Sequence, residues 1–173
     1  MPVPLAAART VPIPKGDEGT AKTVQYMARM IREGSKDPSI RQTAISIVLH
    51  WPNDVEKVDA LYRFVQSRMS YVRDCTYSEA LMTANGHVRQ FLQAGQAAGD
   101  CDDHVIFLGS LLGSVGYPIR IVVIRGKPGD GPFDHVYLET LLRGSWVSLD
   151  ATAKNKPLGW RVPNPSRIRK YNV

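Results

Sequence analysis

The amino-acid sequence predicts an α+β fold: helices first, one central helix, then an antiparallel β meander. Three observations carry this. Apolar residues recur at helical spacing in successive stretches from Val24 to Val65. A dense apolar helix pattern runs from Val105 to Val115 and stops at Gly116 and Pro118. Beyond it lie three strand-type runs separated by Gly-containing turns.

Each element has a local cause. Residues 1–16 carry Pro2, Pro4, Pro12 and Pro14, which forbid a helix and favour an extended arm. A first helix fits Thr20 to Glu33, with Val24, Met27 and Ile31 on one face and Gly34 placed to end it. Asp37-Pro38 starts a second helix with Asp as cap, and Ile40, Ala44, Ile45 and Val48 form its apolar face. Trp51-Pro52 breaks the chain, and Asn53 or Asp54 caps a third helix lined by Val55, Val58, Leu61, Tyr62 and Val65. Met69 to Val72 reads as a short extended piece. Glu79 to Leu92 is a weaker helical stretch interrupted by Asn85-Gly86, and Gly95 and Gly99 bracket a loop that leads into the central helix. Ile119 to Arg125 is rich in β-branched residues and reads as a strand. Gly126 to Gly131 is a loop, His135 to Leu142 a second strand, Arg143-Gly144 a tight turn and Ser145 to Asp150 a third strand.

The 173 residues suit a single domain over 17–153, flanked by the proline-rich arm (1–16) and a basic tail (154–173). Residues 1–153 hold 16 basic and 16 acidic side chains, so the net charge of +6 resides in Lys154, Lys156, Arg161, Arg167, Arg169 and Lys170. The plain reading of these is a solvated tail. No aromatic-and-basic stripe supports nucleic-acid binding. No apolar run reaches a membrane span, and the N-terminus lacks a secretory pattern, so the expected place of action is the cytoplasm, or a larger assembly such as a phage particle that carries the chain. The two cysteines, Cys75 and Cys101, make no disulfide framework. Cys75 reads as a small buried hydrophobe.

Cys101 differs because of its surroundings, Gly99-Asp100-Cys101-Asp102-Asp103-His104. Asp100 is a good N-cap, which puts the thiol in the first turn of a helix, where free N–H groups favour an anion. Asp100, Asp102 and Asp103 oppose this, since like charge raises a thiol's pKa. An imidazole is therefore required. His135 begins a strand eight residues before Arg143, and Asp150 lies six residues after Gly144, so a hairpin brings both to one end. Asp150 would then orient the imidazole. His50, His87 and His104 read as structural. A metal site on Cys101, Asp102, Asp103 and His104 lacks the paired Cys/His spacing of structural zinc, and no cofactor is expected.

These blocks resemble the transglutaminase-like superfamily, with its papain-like cysteine acyl-transfer fold. The resemblance rests on Gly99 to Asp103, Gly116-Tyr117-Pro118-Ile119-Arg120, His135 to Glu139 and Trp146 to Thr152. A lead-in helix over Val58 to Arg73 extends it, so that it covers roughly 54–152. It implies Cys101 as nucleophile, His135 as base and Asp150 as orienter, with Tyr71, Gln93 and Gln96 as candidates for a second oxyanion donor. It also implies a protein or peptide substrate attacked through a thioester, by hydrolysis, protease-like or amidase-like, or by acyltransferase chemistry. The arm and tail look similar to those of prophage-encoded members. The competing expectation is a catalytically weak or inactive assembly protein on the same fold, such as a phage virion component, that holds its partners through the arm and tail.

Overall fold

The computed structural model describes residues 14–73 and 81–173. In chain order it contains α1 (Gly16–Gly34), α2 (Pro38–Val48), α3 (Asp54–Arg68), β1 (Met69–Tyr71), α4 (Ala84–Ala94), β2 (Ala97–Gly99), α5 (Cys101–Ser114), β3 (Ile119–Arg125), β4 (His135–Leu142), β5 (Ser145–Leu149) and β6 (Arg167–Asn172). This is the α+β order expected. Among the described residues, no helix is long and apolar enough to cross a membrane.

Four of the five helices among the described residues begin under a side-chain cap, whereas Lys15 before α1 makes no such bond. Asp37 accepts from the Ser39 amide at 2.8 Å, with Pro38 in the first turn of α2. Of the two candidate caps for α3, Asn53 takes the role, accepting from Glu56 N–H at 3.1 Å. The first helix starts four residues before Thr20, and the added turn carries Asp17 and Glu18, acids that suit a helix N-terminus. The helix expected from Glu79 instead starts at Ala84 under a Thr83 cap, so Asn85-Gly86 lies in its first turn rather than breaking it. Residues 79–80, Cys75 and residues 1–13 of the expected arm lie outside the described residues.

α5 is buried on nearly every side from Asp103 to Leu112, as a helix apolar all round must be. α1 runs parallel to it in close contact: a Cβ on Gly109 would stand 2.9 Å from Ile31 Cδ1. On its other side α5 packs against the sheet, with Ile106, Phe107, Leu111, Leu112, Ile121, Leu138 and Leu149 in the common core. Burying each such side chain contributes roughly 1.5–3 kcal/mol.

The main sheet has the antiparallel order β5-β4-β3-β6. The β4–β5 hairpin turns on Arg143 and Gly144, both left-handed (φ 49° and 79°), which matches strand twist. Two expectations change. The stretch read as a loop between Gly95 and Gly99 contains β2, which pairs parallel with β1 from Met69↔Ala97 to Tyr71↔Gly99. The tail from Lys154 also does not stay solvated throughout, because Arg167–Asn172 joins the sheet beside β3. Its charges find acids far away in sequence: Arg167 and Arg169 pair with Asp17, and Lys170 with Glu139.

Candidate active site

Cys101 is the first residue of α5. Asp100 caps the helix, its carboxylate accepting from the amides of Asp102 (3.0 Å) and Asp103 (3.3 Å). The Cys101 N–H belongs to the same first turn, where no carbonyl within the helix can take it. Cys101 and His135 line one cleft of about 520 Å³ between α1 and the segment 132–136. Behind the thiol, Cys101 and Asp150 line a smaller space with Tyr137 and Thr152.

The hairpin joins the other two candidates. Its register (Leu138↔Leu149), continued one residue, sets Asp150 across from Tyr137 and diagonal to His135. His135 Nε2 lies 2.7 Å from Asp150 Oδ2. A carboxylate only accepts, so Nε2 carries the proton and the nitrogen left to take one is Nδ1. The other carboxylate oxygen, Oδ1, accepts from Thr152 Oγ1 (2.6 Å) and Thr152 N–H (3.2 Å). Burial pushes the Asp150 carboxyl up, but the bonds from His135 and Thr152 outweigh it and hold it below the usual carboxylate range.

Burial pushes the pKa of the Cys101 thiol well up, and the carboxylates of Asp102 and Asp100 push it further, with Asp102 Oδ1 3.7 Å from the sulfur. A hydrogen bond from the Val136 backbone, next to His135, works the other way. Among the described residues, Asp100, Cys101 and Asp102 bring three potential ligand atoms within 4.8 Å of one another. They include no imidazole, and the Asp100 carboxylate already serves as the helix cap.

The three oxyanion candidates separate. Tyr71 sits on β1 opposite Gly99, and its phenol is raised by burial first, then by Cys101 and Asp100 close by. All three are exposed and line neither the cleft nor the space behind the thiol, so Tyr71 is distinguished only by its nearness to Cys101 and Asp100. Neither of the other two buried histidines lines the cleft. His104 is buried, with Nδ1 2.7 Å from Asp100 O. His87 is fully buried, its Nε2 3.5 Å from Asp103 Oδ1. Asp103 in turn accepts from Met82 N–H at 2.8 Å.

Several contributors escaped the reading of the sequence. The buried Tyr62 hydroxyl bonds the carbonyl oxygens of Asp150 and Lys156, both at 3.1 Å. Gln66 reaches Ala153 O at 2.7 Å, and Lys154 Nζ bonds Gln66 O and Met69 O at the end of α3. Together they tie the turn after Asp150 to α3. Only Thr152 had a local signal, as a hydroxyl two residues beyond an Asp. Tyr62 and Gln66 look like ordinary members of a helix face.

No curated protein sequence matches the chain. Solved structures share its fold at low identity. One, described as a "putative cysteine protease" from Cytophaga hutchinsonii, matches with TM-score 0.53 and 19% identity over 78% of this chain and 50% of its own. Another, a "putative protease" from Parabacteroides distasonis, gives TM-score 0.60 and 14% identity over 88% of this chain and 32% of its own. The chain therefore spans half or less of the length of these structures. The family model of the transglutaminase-like superfamily matches residues 41–151, which include Cys101, His135 and Asp150. With that match over most of its length and the fold described above, the chain belongs to the transglutaminase-like superfamily.

Proposed function

We propose that the chain is a cysteine-dependent enzyme that cleaves or transfers an acyl group from an amide of a protein or peptide. Cys101 is the nucleophile, His135 the base and Asp150 the orienter. The observation that carries this is the 2.7 Å His135–Asp150 bond at the end of the hairpin that meets Cys101. It leaves Nδ1 as the proton acceptor.

Because burial and the carboxylates hold the thiol protonated, the proton leaves as attack proceeds. Sulfur bonds to the carbonyl carbon while Nδ1 takes the thiol proton. The oxyanion is met by the Cys101 N–H at the helix start, with the Tyr71 phenol as second donor. Collapse breaks the C–N bond, and the proton on Nδ1 passes to the leaving amine. Water or an amine then attacks the thioester, gives its proton to Nδ1, and the thiol is restored as the S–C bond breaks.

The test is intact-mass spectrometry of the protein incubated with a mixed peptide pool. An acyl adduct on Cys101 and new peptide products are expected, and Cys101→Ala and His135→Ala should show neither. Product formation by Cys101→Ala at the wild-type rate would remove the proposal.

The raised thiol favours a second reading, an inactive assembly protein on the same fold. Under it no adduct forms in any variant, and Cys101→Ala leaves partner binding intact.

A further inference from the structure

The Cys101 N–H, the oxyanion donor of the scheme above, takes its direction from the peptide it belongs to. That peptide joins Asp100 to Cys101 and is trans. The Asp100 carbonyl and the Cys101 N–H therefore lie in one plane and point opposite ways. Whatever holds the carbonyl holds the N–H.

His104 holds it twice. Its backbone N–H donates to Asp100 O at 3.1 Å, the ordinary first bond of α5. Its ring adds a second, shorter contact, with Nδ1 2.7 Å from the same oxygen. A carbonyl only accepts, so Nδ1 carries the proton. Burial holds the imidazole pKa below its ordinary value, so near pH 7 the neutral ring has one proton and this oxygen takes it. Two donors on one carbonyl oxygen draw electron density from the amide and make its N–H a better donor.

The ring is 2% exposed and lines the small space behind the thiol together with Cys101 and Asp150. It also meets Tyr71, with ring centroids 6.1 Å apart. His104 thus stands against both oxyanion donors of the scheme, Cys101 through the Asp100 carbonyl and Tyr71 through its ring. It does not line the cleft, so it has no place as a second base.

We propose that His104 is a positioning residue for the acylation step: by donating Nδ1–H to the Asp100 carbonyl, it fixes and polarises the Cys101 N–H that meets the oxyanion. This rests on the thiol-acylation reading above.

The tautomer is read without a substrate. Long-range ¹H–¹⁵N spectra of the wild type near pH 7 should place the His104 proton on Nδ1. The oxyanion is read with a peptide that the wild type turns over, and with the aldehyde and the alcohol of its acyl portion. The Cys101 sulfur adds to the aldehyde carbon while the thiol proton goes to the oxygen, whereas the alcohol has no carbonyl to add to. His104→Leu should lower kcat and weaken aldehyde binding about tenfold, less than the loss of a whole oxyanion donor, with KM and alcohol binding unchanged. His104→Asn keeps an N–H one bond beyond Cγ, where Nδ1 stands, and should recover most of both losses. A proton on Nε2 in the wild type would overturn the proposal, and this readout stands even if His104→Leu does not fold. Wild-type kcat and aldehyde affinity in folded His104→Leu would also overturn it, as would equal losses in the two variants, which would assign His104 to packing alone. If the wild type forms no Cys101-dependent product or adduct, the acylation reading fails and takes this proposal with it.

Discussion

Asp150→Asn tests how the site directs its proton. In the wild type, Thr152 donates to Oδ1 through both its hydroxyl and its amide, and Oδ2 accepts from His135 Nε2. In the variant, the two Thr152 donors select the amide oxygen for the Oδ1 position. The NH₂ group must then face His135. Two donors cannot share that contact, so the imidazole gives up its Nε2 proton and carries one on Nδ1. The nitrogen that should accept the thiol proton is then blocked. A base locked in the wrong tautomer costs about 10³–10⁴ in rate, or roughly 4–5.5 kcal/mol at about 1.36 kcal/mol per decade. Long-range ¹H–¹⁵N correlation spectra of the imidazole read the tautomer directly, without a substrate, and peptide turnover reads the rate. Adding Thr152→Val removes the stronger donor at 2.6 Å and lets the amide flip, so the double variant should exceed Asp150→Asn alone. An unchanged tautomer in Asp150→Asn, or retention of more than about a tenth of wild-type turnover, would refute the reasoning.

Further outcomes follow from the same geometry. Since burial, then Asp102 and Asp100, push the Cys101 thiol up, its alkylation by iodoacetamide at pH 8 should lag a free cysteine, and Asp102→Asn should speed it severalfold; wild-type labelling as fast as free thiol would contradict this. Tyr62→Phe removes the hydroxyl shared by the carbonyls of Asp150 and Lys156, which keep the Ala153 N–H and Gln66 Nε2 as donors, and should cost about 0.5–1.5 kcal/mol in urea denaturation. Phe107→Ala, at a fully buried position of α5, should cost about 3–5 kcal/mol in the same assay. Burial holds the folded-state pKa of His104 below its ordinary value, so the unfolded chain takes up a proton first as the pH falls. Stability should therefore drop below about pH 6.5, and His104→Asn should flatten that slope. The low carboxyl pKa of Asp150 adds a further loss as the pH falls below about 3.9, and a denaturation series across pH resolves the two.

Much of the architecture was legible because its causes are local. Asp37-Pro38, Arg143-Gly144 and Gly116 act within a few residues of themselves, so α2, the β4–β5 hairpin and the end of α5 read directly. The unbroken apolar pattern from Val105 marked α5 as the buried centre. The order Cys101, His135, Asp150 and the length of the hairpin pointed to the end where His135 and Asp150 meet. β2 was not legible, since Ala97-Ala98-Gly99 has no strand preference and becomes extended only by pairing with β1. Among Tyr71, Gln93 and Gln96, all exposed, only placement in space brings Tyr71 near the thiol and Asp100.

The sequence by itself determined the helix and strand pattern, the central α5 and the reactive residue types in their order. Tertiary structure alone decided that Arg167 and Arg169 meet Asp17, that α1 walls the cleft, and that burial and two aspartates push the thiol's pKa up. The physical reason is range. Caps, turns and periodicity are set by neighbours along the chain, whereas charge pairing and desolvation depend on groups that only the folded chain brings within a few ångströms.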